Sequence, residues 1–176
     1  MGKNEPESAM IKIYILRHEE AGAAGGAGGL DRDRVLTAEG EKSIAASARG
    51  MARIGIKPDL IWTSPYPRAA QTAAIAAREL GLEDRVSDRI ELAPGADPRE
   101  IARLLEGEAA EATVMLVGHN PDLERLIGWL ISPGDDAAVN LKKGALALIH
   151  AETPVAAGCG SLRWLLIPAQ MAQLAG

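Results

Sequence analysis

The chain has 176 residues, 47% apolar and 24% charged, which suits one soluble globular domain with a sizeable core. Its net charge of −5 argues against general nucleic-acid binding and against an anionic membrane surface, although an acidic protein can still hold a basic cleft. Cys159 is the single cysteine, which excludes an intrachain disulfide and a cysteine-built metal cage and fits a reducing compartment.

The opening "MGKNEPESAM" is polar and lacks the apolar core of a signal peptide. Residues 1–10 are therefore expected to form a flexible N-terminus ahead of a folded domain over 11–170. The first predicted strand is "IKIYIL" (11–16), which ends abruptly on Arg17, His18, Glu19 and Glu20. The Gly-rich "AGAAGGAGG" (21–29) has neither the GK[ST] of a phosphate loop nor a G-x-G-x-x-G, and reads as a flexible loop. Thr37 predicts the N-cap of a helix to about Ile54, with Glu39 and Glu41 at its positive end.

"DLIWT" (59–63) is the second predicted strand. Ser64 as cap and Pro65 should open a second helix through Leu80, stopped by Gly81. Asp97, Pro98 and Glu100 predict the cap, first-turn proline and capping acid of a third helix. "ATVMLV" (112–117) is a further strand, after which Asn120 and Pro121 should open a fourth helix ending near Ile131. "ALALIH" (145–150) and "LRWLLI" (162–167) follow, with no helix between them. No apolar run approaches the roughly 20 residues that span a bilayer, so a cytoplasmic protein without membrane contact is expected. The pattern predicts an α/β fold: a single domain with a mostly parallel central sheet, helices on both faces, and a C-terminal antiparallel hairpin at one side.

Ligands of such sheets bind outside the carboxyl ends of the strands. Three of those ends carry unusual residues. One ends on Arg17-His18, the second leads into "SPYPRAAQTA" with Arg68 in a first helical turn, and the third ends on Gly118-His119-Asn120. Any one of these polar residues alone reads as a solvated strand end. Together, two imidazoles, two guanidiniums and two helix N-termini all favour an anion, and the planar fork of arginine suits phosphate oxygens. Zinc fits poorly, because the arginines repel a cation and no H-x-x-x-H spacing occurs. A neutral imidazole in such a pocket is a nucleophile for phosphorus, and arginines stabilise the charge on a phosphoryl group in transfer. That chemistry calls for no cofactor and no metal.

"LRHEEA", "SPYPRAAQTA", "VGHNPDL" and the late "KKGALALI" together resemble the histidine phosphatase superfamily, with its phosphoglycerate-mutase-like fold. The nearest resemblance is to the compact branch of SixA-type phosphohistidine phosphatases, and it spans Ile11 to about Ile167. It implies that His18 is a nucleophile that becomes phosphorylated, that Arg17 and Arg68 bind the phosphoryl oxygens, and that His119 completes the pocket. In "DRDRVLTAEG", Arg34 stands where SixA-type sequences carry a further pocket arginine in an R-P-L-T string, with Val35 here in place of the proline. Arg32 competes for that role, or is a solvated loop charge.

Glu19 departs from the family pattern, which has glycine or alanine after the R-H pair. It would orient His18 or repel phosphate, unless strand alternation points it away, which is the expected case. Larger relatives use a carboxylic acid to protonate the leaving oxygen. Glu91 in "RIELAPGADP" is the one candidate here, with a polar strand-end residue as its plain alternative. An alkoxide leaving group needs such a donor far more than imidazole does. The expected activity is therefore hydrolysis of phosphohistidine on a protein or peptide, without metal. A small-molecule phosphomonoesterase and a non-catalytic phosphate-recognition module are the alternatives. A mutase is disfavoured because the chain is too short for the usual cap. His150, Cys159 and the three tryptophans have no motif around them and read as structural.

Overall fold

The computed structural model describes residues 9–23, 29–108, 111–134 and 137–176. The expected flexible N-terminus therefore lies almost wholly outside the described residues, as does most of the Gly-rich loop. Six strands form one sheet: β1 (Met10–Arg17), β2 (Leu60–Thr63), β3 (Val86–Asp88), β4 (Thr113–Gly118), β5 (Leu146–Glu152) and β6 (Gly160–Leu166), in the spatial order β3-β2-β4-β1-β5-β6. The first four are mutually parallel, while β5 and β6 run antiparallel at the other side.

Alternation along the central strands sends side chains to both faces. Ile11, Ile13, Ile15, Val114 and Leu116 pack with Ile101, Leu105, Leu126 and Ile127, which belong to α3 (Pro98–Glu106) and α4 (Asp122–Ile131). Tyr14, Leu16, Met115 and Val117 face the opposite way. They meet Ile44 and Met51 of α1 (Ala38–Arg53), Ala73 and Ala77 of α2 (Pro67–Leu80), and Met171 of α5 (Pro168–Ala175). Trp62 is buried in the first cluster and Trp164 lies 5.9 Å from Tyr14, centroid to centroid.

Two elements escape the sequence reading. β3 is three residues long and carries Ser87 and Asp88, so no apolar run announces it. α5 follows the last strand and reaches Ala175. It docks so closely on α1 that a Cβ on Gly50 would stand 1.8 Å from the Met171 carbonyl oxygen.

Two helix starts differ from expectation. Thr37 does cap α1, accepting from Gly40 N at 3.0 Å, and Asp97 caps α3 through Arg99 N. Ser64 does not cap α2, however. Tyr66 holds that position and Pro67 is the first helical residue. Asn120 does not cap α4 either, because its amide donates to the Leu141 carbonyl and Pro121 takes the cap position. β5 runs against β1 because the chain makes a second traverse after α4 and re-enters the sheet beside the end of β1, where Gly144 N donates to the Arg17 and His18 carbonyls.

Candidate active site

The register of β1 on β4 pairs Arg17 with Gly118, so His18 and His119 are the next residues on neighbouring parallel strands. His18 N donates to the Gly118 carbonyl at 3.1 Å, which extends the ladder by one step past the strand. The imidazole centroids end 5.1 Å apart, tilted at 58°. Both rings are buried.

The His18 ring is oriented by its own backbone. Nδ1 lies 2.7 Å from the Glu19 carbonyl oxygen, which can only accept, so Nδ1 carries the proton and Nε2 keeps its lone pair. Arg68 Nε donates to that Nε2 at 3.3 Å. Burial pushes the His18 pKa down to about 4, opposed by the Glu19 hydrogen bond and reinforced by the charges of Arg68, Arg17 and Arg34. His119 is lowered to about 3, first by burial and then by His18 and Arg68. Its Nε2 sits 2.8 Å from Ser64 Oγ, and its buried Nδ1 has no hydrogen-bond partner among the described residues.

Both imidazoles are thus neutral at neutral pH, whereas in an unfolded chain each would titrate near 6.5. As pH falls below 6.5, the unfolded chain takes up protons that the folded chain refuses until about 4 for His18 and about 3 for His119. The stability these groups contribute is complete above 6.5 and is lost through that window. Urea unfolding midpoints should fall as pH is lowered from about 7 to about 5, and fall less in His119→Ala. A midpoint flat over that range in the parent chain would contradict a neutral pair.

Three arginines surround the rings. Arg68 is buried at the N-terminus of α2, with Nη1 donating to the Asp31 carbonyl at 2.6 Å and Nη2 to Asp31 Oδ2 at 2.9 Å. Arg17 is anchored through Nη1 to the Leu141 carbonyl, and its buried Nε is without a hydrogen-bond partner among the described residues. Arg34 donates to the Gly22 and Ala21 carbonyls and, at 3.1 Å, to Asp31 Oδ1. Arg32 is exposed and, among the described residues, its ion pair is with the neighbouring Asp33 at 3.8 Å, whereas Arg34 joins the cluster.

Glu19 turns away from the pocket, as strand alternation requires. Its Oε1 accepts from Ser43 Oγ at 2.5 Å and its Oε2 from Glu20 N at 3.0 Å. Thr72 links the strand end to α2: its Oγ1 accepts from Glu19 N and donates to the Arg68 carbonyl. Glu91 stands in the short 3-10 helix Ile90–Leu92 and lines a cleft of about 430 Å³ with Ile90, Glu100, Arg103 and Leu104. Among the described residues, no hydrogen bond or ion pair joins it to the histidines.

Sequence reasoning missed Ser64 and Asp31 as neighbours of the site. The position of Ser64 directly after a strand pointed to a helix cap, and Asp31 sits in "DRDR", which resembles any solvated charge cluster. Among the described residues, no group of three or more His, Cys, Asp or Glu side chains is arranged to hold a metal ion. No helix among them is long and apolar enough to cross a membrane.

Comparison with known proteins agrees with this architecture. Residues 13–93 match the family model of the histidine phosphatase superfamily (branch 1). An uncharacterized protein of Picosynechococcus sp. (strain ATCC 27264 / PCC 7002 / PR-6) is 37% identical over 139 residues, covering 77% of this chain and 82% of that one. The structure of the protein histidine phosphatase SixA complexed with tungstate superposes with a TM-score of 0.79 at 24% identity, over 90% of this chain and 97% of that chain, a likeness of fold. A protein of Agrobacterium tumefaciens assigned as the phosphohistidine phosphatase SixA gives 0.74 at 27% identity, over 89% and 97%.

Proposed function

The chain belongs to the histidine phosphatase superfamily, and from that premise we propose that it is a metal-independent phosphohistidine phosphatase acting on proteins through a phosphorylated His18. The observation that carries this reading is the His18 ring itself. Its proton is fixed on Nδ1 by the Glu19 carbonyl, so Nε2 keeps the lone pair that attacks phosphorus at physiological pH once Arg68 Nε turns from it to the phosphoryl group.

In the first step Nε2 of His18 forms a bond to phosphorus as the P–N bond of the substrate breaks, and the substrate imidazole, protonated by solvent on its other ring nitrogen beforehand, departs neutral. In the second, water attacks the phosphoryl group on His18, loses a proton, and expels Nε2 to give inorganic phosphate and the free imidazole. Arg17, Arg34 and Arg68 receive the negative charge on the phosphoryl oxygens, and His119 closes the pocket. Three guanidiniums supply the positive charge that a metal would otherwise bring, which is why the proposed chemistry runs without one. The protein histidine phosphatase SixA that shares this fold is complexed with tungstate, a tetrahedral oxyanion, which is in keeping with an oxyanion as the ligand.

Substrate preference follows from the leaving group. Asp31 is held below the ordinary carboxylate pKa, chiefly by its hydrogen bond with Arg34, and is a poor proton donor. Glu91 is the remaining candidate acid, and hydrolysis of a sugar phosphate or nucleotide that is lost in Glu91→Gln would favour a small-molecule phosphomonoesterase instead. Imidazole leaves from phosphorus with much less help, so the pocket favours a P–N bond.

Incubation with a phosphohistidine-bearing protein in EDTA should release phosphate. After a brief exposure, mass spectrometry under alkaline conditions should place the label on His18. Label on His119 would reverse the two roles. Neither release nor label would leave the family fold serving as a phosphate-recognition module.

A further inference from the structure

Asp31 stands where the arginines would meet a phosphoryl group. Its Oδ2 accepts from Arg68 Nη2 at 2.9 Å, its Oδ1 from Arg34 Nη1 at 3.1 Å, and its carbonyl from Arg68 Nη1 at 2.6 Å. One carboxylate thus spans two guanidiniums with a different oxygen on each, which is also how an oxyanion is gripped. The two arginines are anchored independently of it. Arg34 holds the Gly22 and Ala21 carbonyls, and Arg68 is buried in α2 with Nε on His18. Asp31 is the movable partner: its side chain is 65% exposed and its single turn of 3-10 helix, Asp31–Asp33, contributes no buried residue.

Building on the phosphatase reading above, we propose that Asp31 is a specificity-determining residue, a resident anion that an incoming phosphoryl group must displace from Arg34 and Arg68 and that then remains beside the phosphorus as a negative charge. Two consequences follow. A bare phosphate dianion must compete for the guanidiniums and then lies against a like charge, so free phosphate binds weakly and leaves readily. A phosphoryl group carried on a protonated imidazole brings its own positive charge to the displaced carboxylate and recovers the attraction. A phosphoryl ester of a neutral alcohol brings none. The loop therefore sorts ligands by the charge next to phosphorus, a criterion independent of shape.

Asp31→Asn keeps the shape and removes the charge, and Asp31→Ala removes both. Calorimetric titration of the full-length chain with inorganic phosphate should show the Kd falling about tenfold or more in both variants. The ratio of kcat/KM for a phosphohistidine peptide to that for p-nitrophenyl phosphate should fall severalfold in the same variants. A Kd that is unchanged or weaker in both variants would overturn the proposal, because Asp31 would then only brace the arginines. Absence of phosphate binding in all three proteins would sink the reading of the pocket itself, and this inference with it.

Discussion

His18→Ala is expected to abolish the phosphoenzyme and to lower turnover on a phosphohistidine protein by roughly 10⁴-fold or more. On the proposed reading Arg17, Arg34 and Arg68 position charge and His119 closes the pocket, so the loss of His18 removes the nucleophile. The remaining clamp would keep only the modest catalysis that electrostatic stabilisation gives without covalent chemistry. The fold should tolerate the change. His18 is held in the sheet by its backbone, with N donating to the Gly118 carbonyl and its own carbonyl accepting from Gly144 N, and neither bond needs the imidazole. Thermal unfolding should therefore stay close to that of the parent while single-turnover labelling vanishes. A variant that keeps more than about one per cent of the parent rate would show that His18 is not the nucleophile.

The second large effect is expected at Arg68. Arg68→Ala should lower kcat/KM by about 10³-fold, in the range seen when one charged donor to a phosphoryl or oxyanion group is removed. Arg68→Lys should restore little of it. Arg68 reaches the His18 imidazole, the Asp31 carbonyl and the Asp31 carboxylate at once through three nitrogens of a planar fork, and an ammonium has no such geometry. The same substitution removes one of the charges that depress His18, so its pKa should rise from about 4 toward the ordinary value. NMR titration of the His18 ring distinguishes this from simple misfolding, which would release both histidines together. A His18 titration that does not move in Arg68→Ala would contradict the contact.

Much of this arrangement was legible in the chain because strand ends and helix starts announce themselves through short, local chemistry. β1, β2, β4 and the hairpin of β5 and β6 show as apolar runs, and the three motifs fall at the ends of β1, β2 and β4. The two misplaced caps have a common physical source: a polar side chain that also serves a distant partner. Ser64 and Asn120 have the composition of helix caps, yet His119 and the Leu141 carbonyl engage their side chains. Asp31 is the same case in reverse, an ordinary loop acid in the sequence that folding carries onto Arg68, 37 positions away. Glu19 shows what periodicity can and cannot supply. Alternation gives its direction, but not the Ser43 hydroxyl that receives it, nor the glycine at 144. There φ is +66° and a Cβ would come within 2.1 Å of Glu19 Oε1.

The parallel register of Arg17 on Gly118 has a consequence for how this pocket can change. Adjacent hydrogen-bonded strands lie about 4.8 Å apart whatever their sequence. The backbone separation from which the two imidazoles project is therefore a dimension of the sheet, while Ser64 and Arg68 hold the rings themselves. Insertions, deletions and wholesale rewriting of the surrounding segments leave that length untouched and alter only what is admitted to it. A single-residue slip between β1 and β4 would do the opposite, sending one ring to the far face of the sheet while every loop stayed as it was.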